Sequence, residues 1–137
     1  MSPLSPDQIV QKMMDHDAFS QWLGIEVQHF GPGTCTIGMT VREEMVNGFF
    51  VAHGGITFSL ADSAFAFASN SRGLHAVSIE TSISHTRPVF PGDILEAKAT
   101  ELQNGKTIAR YEVTVTCGKN VVALFKGTVF KKDTLWT

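Results

Sequence analysis

The stretch His53-Gly54-Gly55-Ile56-Thr57-Phe58-Ser59-Leu60-Ala61-Asp62-Ser63-Ala64-Phe65-Ala66-Phe67-Ala68-Ser69-Asn70-Ser71 decides the fold. It holds no proline and one formally charged side chain, Asp62. Its alanines are strong helix formers, and Phe58, Phe65 and Phe67 point to several sides. Apolar residues nearly all round mark a helix buried on most of its surface. Such a helix needs other elements wrapped about it.

The flanking sequence supplies strands. Before the helix, Ile25 to Phe30 reads as one strand, and Gly31-Pro32-Gly33 as a turn. Cys35, Ile37, Met39 and Val41 then alternate with Thr34, Thr36, Gly38 and Thr40, the period of a half-buried strand. Arg42 to Ala52 reads as a loop. After the helix come Ala76 to Thr86, Ile94 to Leu102, Thr107 to Cys117 and Val121 to Lys131. The first of these is expected to carry Val77, Ile79 and Ile83 on one face and Ser78, Glu80, Ser82 and Ser84 on the other. Asn104-Gly105 predicts a hairpin through residues that tolerate positive φ. Ser5-Pro6-Asp7-Gln8 reads as a capping box opening an N-terminal helix, and Ala18 to Leu23 as a second short one ended by Gly24. Strands joined by short hairpins are antiparallel. The expectation is one α+β domain over residues 1–137, a long helix wrapped by a curved antiparallel sheet.

Composition agrees. The 137 residues are 43% hydrophobic and 18% charged, which excludes a disordered chain. A net charge of -2 argues against a nucleic-acid binder with a basic face. The longest charge-free run, Met45 to Ala61, falls short of a membrane span and holds Asn47 and His53. The sequence opens without the basic and apolar regions of a secretory leader. Cys35 and Cys117 form no disulfide framework and are expected to be free thiols of a cytoplasmic protein.

The chemistry concentrates on the helix. A carboxylate on so apolar an element costs free energy unless something compensates. A partly desolvated acid has a raised pKa, which suits a general base near neutrality. That singles out Asp62. Glycine is a poor helix former, so Gly54-Gly55 in a first turn suggests that something approaches the backbone closely. The N–H groups there can hold the oxygen of a polarised carbonyl. His53 and Asn47, just before the helix, are further candidates, although His53 is equally a cap and Asn47-Gly48 an ordinary turn pair. Asp62 lies eight residues beyond Gly54, about 12 Å along a helix axis. One carbonyl cannot sit near both groups of one chain. A shared site, with a second copy of the helix running antiparallel beside the first, is therefore expected of a two-fold dimer. Arg87, Lys106 and Lys119 stand at strand ends or turns, where a cation reaches a pocket rim. No metal is expected, since the five histidines show no ligand spacing with either cysteine. No G-x-S-x-G elbow, dinucleotide fingerprint or Walker loop is present.

The run from Asn47 to Ala66 strongly resembles the hotdog-fold acyl-CoA thioesterases, and within them the PaaI branch of phenylacetic acid degradation. Asn70-Ser71-Arg72-Gly73, Arg87-Pro88, Gly92-Asp93 and Ala123-Leu124-Phe125-Lys126-Gly127 match as well. The resemblance covers nearly all of the chain after Gly24, and Met1 to Leu23 matches least. It implies a hotdog fold and a homodimer that pairs again into a homotetramer. It implies hydrolysis of an acyl-CoA to free acid and CoA without a cofactor. By resemblance Asp62 is the catalytic carboxylate, as general base or nucleophile, and the Gly54 amide polarises the carbonyl. Asn47 and His53 assist at the carbonyl and the sulfur, and Ser78 contacts the attacking water. The acyl group is expected to be aromatic, phenylacetyl- or hydroxyphenylacetyl-like, or else short to medium. A non-catalytic acyl-CoA-binding module is the alternative reading, and a hotdog hydratase is a poorer match. Asp62 favours hydrolysis over binding alone.

Overall fold

The computed structural model describes residues 3–137. Helix α1 spans Pro6–His16. The Ser5 N–H donates to Gln8 Oε1 at 2.9 Å, the back-bond of a capping box. Helix α2 spans Ala18–Leu23; Asp17 caps it, accepting from the Ser20 N–H at 2.9 Å. Strands β1 (Glu26–Gly31) and β2 (Thr34–Thr40) form a hairpin. A single 3-10 turn, Glu43–Met45, interrupts the segment read as loop. Helix α3 runs from Gly54 to Asn70. Strands β3 (Leu74–His85), β4 (Ile94–Asn104), β5 (Ile108–Cys117) and β6 (Asn120–Leu135) follow.

The six strands form one antiparallel sheet in the order β1-β2-β4-β5-β6-β3, so β1 and β3 are its edges. Helix α3 lies against it, touching β2 to β6 in turn. This is the hotdog arrangement. Phe65 of α3 packs edge-on against Tyr111 at 6.0 Å and tilted against Phe125 at 5.5 Å. Each buried ring of this kind is worth about 1.5–3 kcal/mol of transfer free energy. Gly127 on β6 lies under the same ring: a Cβ there would stand 2.6 Å from Phe65 Cζ, closer than atoms tolerate. The far end of α3 is fixed by Asn70. Its Nδ2 donates to Ala66 O (2.9 Å) and Ala76 O (3.1 Å), and its Oδ1 accepts from the Ala76 N–H and Trp136 Nε1, both at 2.9 Å.

Strand β3 departs from the alternation read in the sequence. Ser78 pairs with Val129 but Glu80 pairs with Thr128, so Ile79 is an extra residue in a bulge. The bulge exchanges the two faces. Ile83, opposite Phe125, faces α3, whereas Val77, opposite Phe130, faces outward. Val77 and Ile79 are exposed, whereas Ile83 is half-buried against the core. Ser78 likewise parts from Glu80, Ser82 and Ser84. The β4–β5 hairpin forms as expected, but neither Asn104 nor Gly105 takes positive φ. A longer connection closes it instead, with the Gly105 N–H donating to Ile108 O at 2.8 Å. Cys35 is buried and Cys117 half-buried, both as free thiols. Among the described residues no helix is long and apolar enough to cross a membrane.

Candidate active site

The first turn of α3 is assembled around three amides. The Gly55 N–H donates to His53 Nδ1 at 2.8 Å, and the Ile56 N–H to His53 O at 2.9 Å. The Gly54 N–H has no acceptor among the described residues. It stands at the positive end of the helix dipole. A free, preorganised amide in that position stabilises negative charge developing on a carbonyl oxygen. Because His53 Nδ1 accepts a hydrogen bond, the neutral ring carries its proton on Nε2 and presents a donor. His53 is thus both the cap and an available donor, and the two readings of it are compatible.

Gly54 shares a hollow of about 310 Å³ with Thr57, His85 and Arg87. Its lack of a side chain has a local reason: a Cβ would stand 3.2 Å from His85 Nε2. On the other flank, His53, Gly55, Ile56 and Ser59 border a second hollow of about 350 Å³, closed by Phe19 and Trp22 of α2. These two rings stack at 6.1 Å with planes 11° apart, and both are about half exposed. The Arg42 guanidinium lies 4.8 Å from the Trp22 ring centroid and donates to Trp22 O at 2.7 Å and Leu23 O at 3.2 Å. That clamp holds the aromatic pair in place.

Asp62 lies near the middle of α3, half-buried, with no hydrogen-bond partner among the described residues. Burial raises its pKa above the usual carboxylate value, and the charge of Asp17 raises it further. Asp17 is brought there by α2, which is docked on α3 by Ser20 Oγ against Ser63 Oγ at 2.8 Å. The remaining candidates separate. Asn47 Oδ1 accepts from the Phe49 N–H at 2.8 Å in a turn, so only its amide NH₂ is left for other work. Ser78 sits exposed on edge strand β3 and borders neither hollow. Lys119 lies in the β5–β6 turn, at the end of the sheet where Thr86 bonds Val121 and Val122 and so near Arg87. Lys106 lies in the β4–β5 turn at the opposite end. Among the described residues no group of acidic, histidine or cysteine side chains is arranged to hold a metal.

His85 escaped the sequence reading. It was visible there only as one of five histidines without metal spacing; the β3 register brings it to Gly54.

Residues 49–124 match the family model of the thioesterase superfamily. The chain belongs to the thioesterase superfamily. This thioesterase is 42% identical over 116 residues to the acyl-coenzyme A thioesterase PaaI of Escherichia coli K12, covering 84% of this chain and 83% of that one. The solved structure of the E. coli PaaI protein from the phenylacetic acid degradation operon superposes with a TM-score of 0.93 at 38% identity, over 96% of each chain. The smu.793 protein of Streptococcus mutans, solved bound to acetyl CoA, superposes with a TM-score of 0.79 at 28% identity, over 82% of this chain and 91% of that one. The protein is a thioester hydrolase, and the thioesterase fold puts a free amide and a perturbed carboxylate on one helix.

Proposed function

We propose that this thioesterase hydrolyses an aromatic acyl-CoA, phenylacetyl- or hydroxyphenylacetyl-like, to the free acid and CoA in phenylacetate degradation in the cytoplasm. The observation that carries the reading is the pairing of an unbonded Gly54 N–H with a half-buried Asp62 of raised pKa on the same helix. The thioester oxygen lies on the Gly54 N–H, and His53 Nε2–H and the Asn47 amide assist. As general base, Asp62 takes a proton from water as the water oxygen attacks the carbonyl carbon, and passes it to the CoA sulfur as the C–S bond breaks. As nucleophile, Asp62 attacks that carbon and expels CoA, and water then hydrolyses the resulting anhydride to the free acid. Ser78 holds the water. No cofactor enters, because the charge that develops is met by an amide and side chains.

The helical separation of about 12 Å supports a site shared by two copies, Gly54 from one and Asp62 from the other. The free edge of β3, with Val77 and Ile79 exposed, and the exposed Phe49 and Phe50 before α3 supply apolar surface for a homodimer and its pairing into a homotetramer. Arg87 at the mouth of the Gly54 hollow meets the CoA phosphates, with Lys119 on the same end and Lys106 reaching a site from a neighbouring copy. The stacked Phe19 and Trp22 favour a flat ring in the acyl pocket.

A hydrolysis screen across short, medium, branched and aromatic acyl-CoAs tests the reading. Arylacetyl-CoA should exceed a straight-chain ester of equal carbon count in kcat/KM by about tenfold. Equal or better turnover of the straight chain removes the aromatic assignment, and no turnover of any ester removes the enzyme.

A further inference from the structure

His85 closes β3 and borders the hollow that also holds Gly54 and Arg87. Its Nδ1 lies 3.1 Å from Thr57 Oγ1. That hydroxyl also lies 3.1 Å from Gly54 O, to which it can only donate. In the tautomer in which its one hydrogen goes there, the imidazole donates to Thr57 through Nδ1–H. In the neutral ring this leaves a lone pair on Nε2. Nε2 is also the atom that stands 3.2 Å from the position of a Cβ on Gly54. An oriented acceptor thus sits beside the free Gly54 amide, and it is not used by any residue described here.

An acyl-CoA offers that acceptor one kind of partner. The thioester itself has no hydrogen-bond donor. The first donor on the arm that leaves the sulfur is the nearest amide N–H. With the carbonyl on Gly54 and the phosphates at Arg87, the arm crosses this hollow past His85.

We propose that His85 is a specificity-determining residue, whose Nε2 accepts the amide N–H nearest the sulfur of the CoA arm. This rests on the thioesterase reading above and adds a recognition element on the leaving-group side. Thr57 is its positioning residue, because it fixes which ring nitrogen is bare. The open space at Gly54 lets the ring approach.

Two small substrates with the same acyl group test this. One is the thioester of N-acetylcysteamine; in the other the amide N–H is replaced by an ester oxygen. Wild type should prefer the amide by about three- to tenfold in kcat/KM, the worth of one neutral hydrogen bond, expressed in KM. His85→Phe should bring the two values together. His85→Gln, whose Oε1 still accepts, should retain part of the preference. Thr57→Val leaves the ring in place but releases its tautomer, and should weaken the preference without abolishing it. A preference unchanged in His85→Phe overturns the assignment, as does a wild type that turns over both esters equally. Should His85→Phe fail to fold, Thr57→Val and His85→Gln decide: an undiminished preference in both overturns it. A wild type that hydrolyses neither ester and no acyl-CoA overturns the thioesterase reading itself, a different result from equal turnover.

Discussion

Asp17, the cap of α2, lies near enough to Asp62 of α3 for its charge to act on that carboxyl. Burial and then this charge both hold Asp62 above the ordinary carboxylate value. A base works deprotonated, so a raised pKa pushes the acid limb of the rate profile to higher pH. Asp17→Asn removes the charge yet keeps a good helix cap. The acid limb of kcat/KM should move to lower pH. A limb that stays in place removes Asp17 from the account.

Asp62→Asn keeps the shape and loses the base. We expect kcat to fall by about 10²-fold or more while the circular dichroism spectrum is retained. Stability should move the other way. A carboxyl with a raised folded pKa contributes stability that is complete below the ordinary value of 3.8 and is lost as pH rises through the folded value. Asparagine does not titrate. The melting temperature of the variant should therefore gain on wild type between acid and neutral pH. A variant that folds and turns over normally displaces Asp62 as the base.

Gly54→Ala places a methyl 3.2 Å from His85 Nε2. The amide is retained, but the ring and the substrate lose room. Activity should fall by about tenfold or more, since small misplacements at a reacting centre are costly. If crowding by His85 is the cause, Gly54→Ala should cost less in a His85→Ala background than in wild type. Additive losses in that double-mutant cycle would assign the effect to the substrate alone.

Mixing Asp62→Asn protein with an Asn47→Ala/His53→Ala variant tests the shared site. Hybrid dimers contain one site with every group intact, so activity should return once subunits are shown to exchange. Exchange without recovery breaks the link between the roughly 12 Å separation and a two-chain site.

Arg87→Ala, Lys106→Ala and Lys119→Ala sort the cations. Arg87 borders the Gly54 hollow, and its loss should raise KM for every CoA ester by a similar factor while leaving a truncated thioester nearly unaffected. Equal losses on both substrates would mean that the residue supports the fold or acyl pocket.

The helix and the succession of strands along the chain were legible because their patterns are local; the order in the sheet, which pairs β2 with β4 and β3 with β6 over long separations, was not. Ala109, Tyr111, Val113 and Val115 alternate with Arg110, Glu112, Thr114 and Thr116 without interruption and are buried. Strand β3 was misread because one extra residue, Ile79, inverts every later position, and a bulge leaves no mark in an otherwise regular alternation. Asp62 and Gly54 stood out by cost: a charge and a glycine where a buried helix disfavours both. His85 carried no such cost. Its significance comes from register and from a hydroxyl that it shares with Gly54 O, neither of which spacing reveals.

Gly127 and Phe65 set how this scaffold is open to change. The helix rests on bare backbone at that point, with no side chain between to be trimmed or enlarged. Moving α3 therefore means losing the ring contacts that seat it. Adaptation to a new acyl group has to leave this axle where it is. The freedom lies in the exposed rings laid against it from outside: Phe19 and Trp22 on the short helix α2, and Phe49 and Phe50 on the loop before α3. A designer who exchanges those rings and leaves the buried Leu23 and Ser20 of α2 in place can alter selectivity without reopening the core.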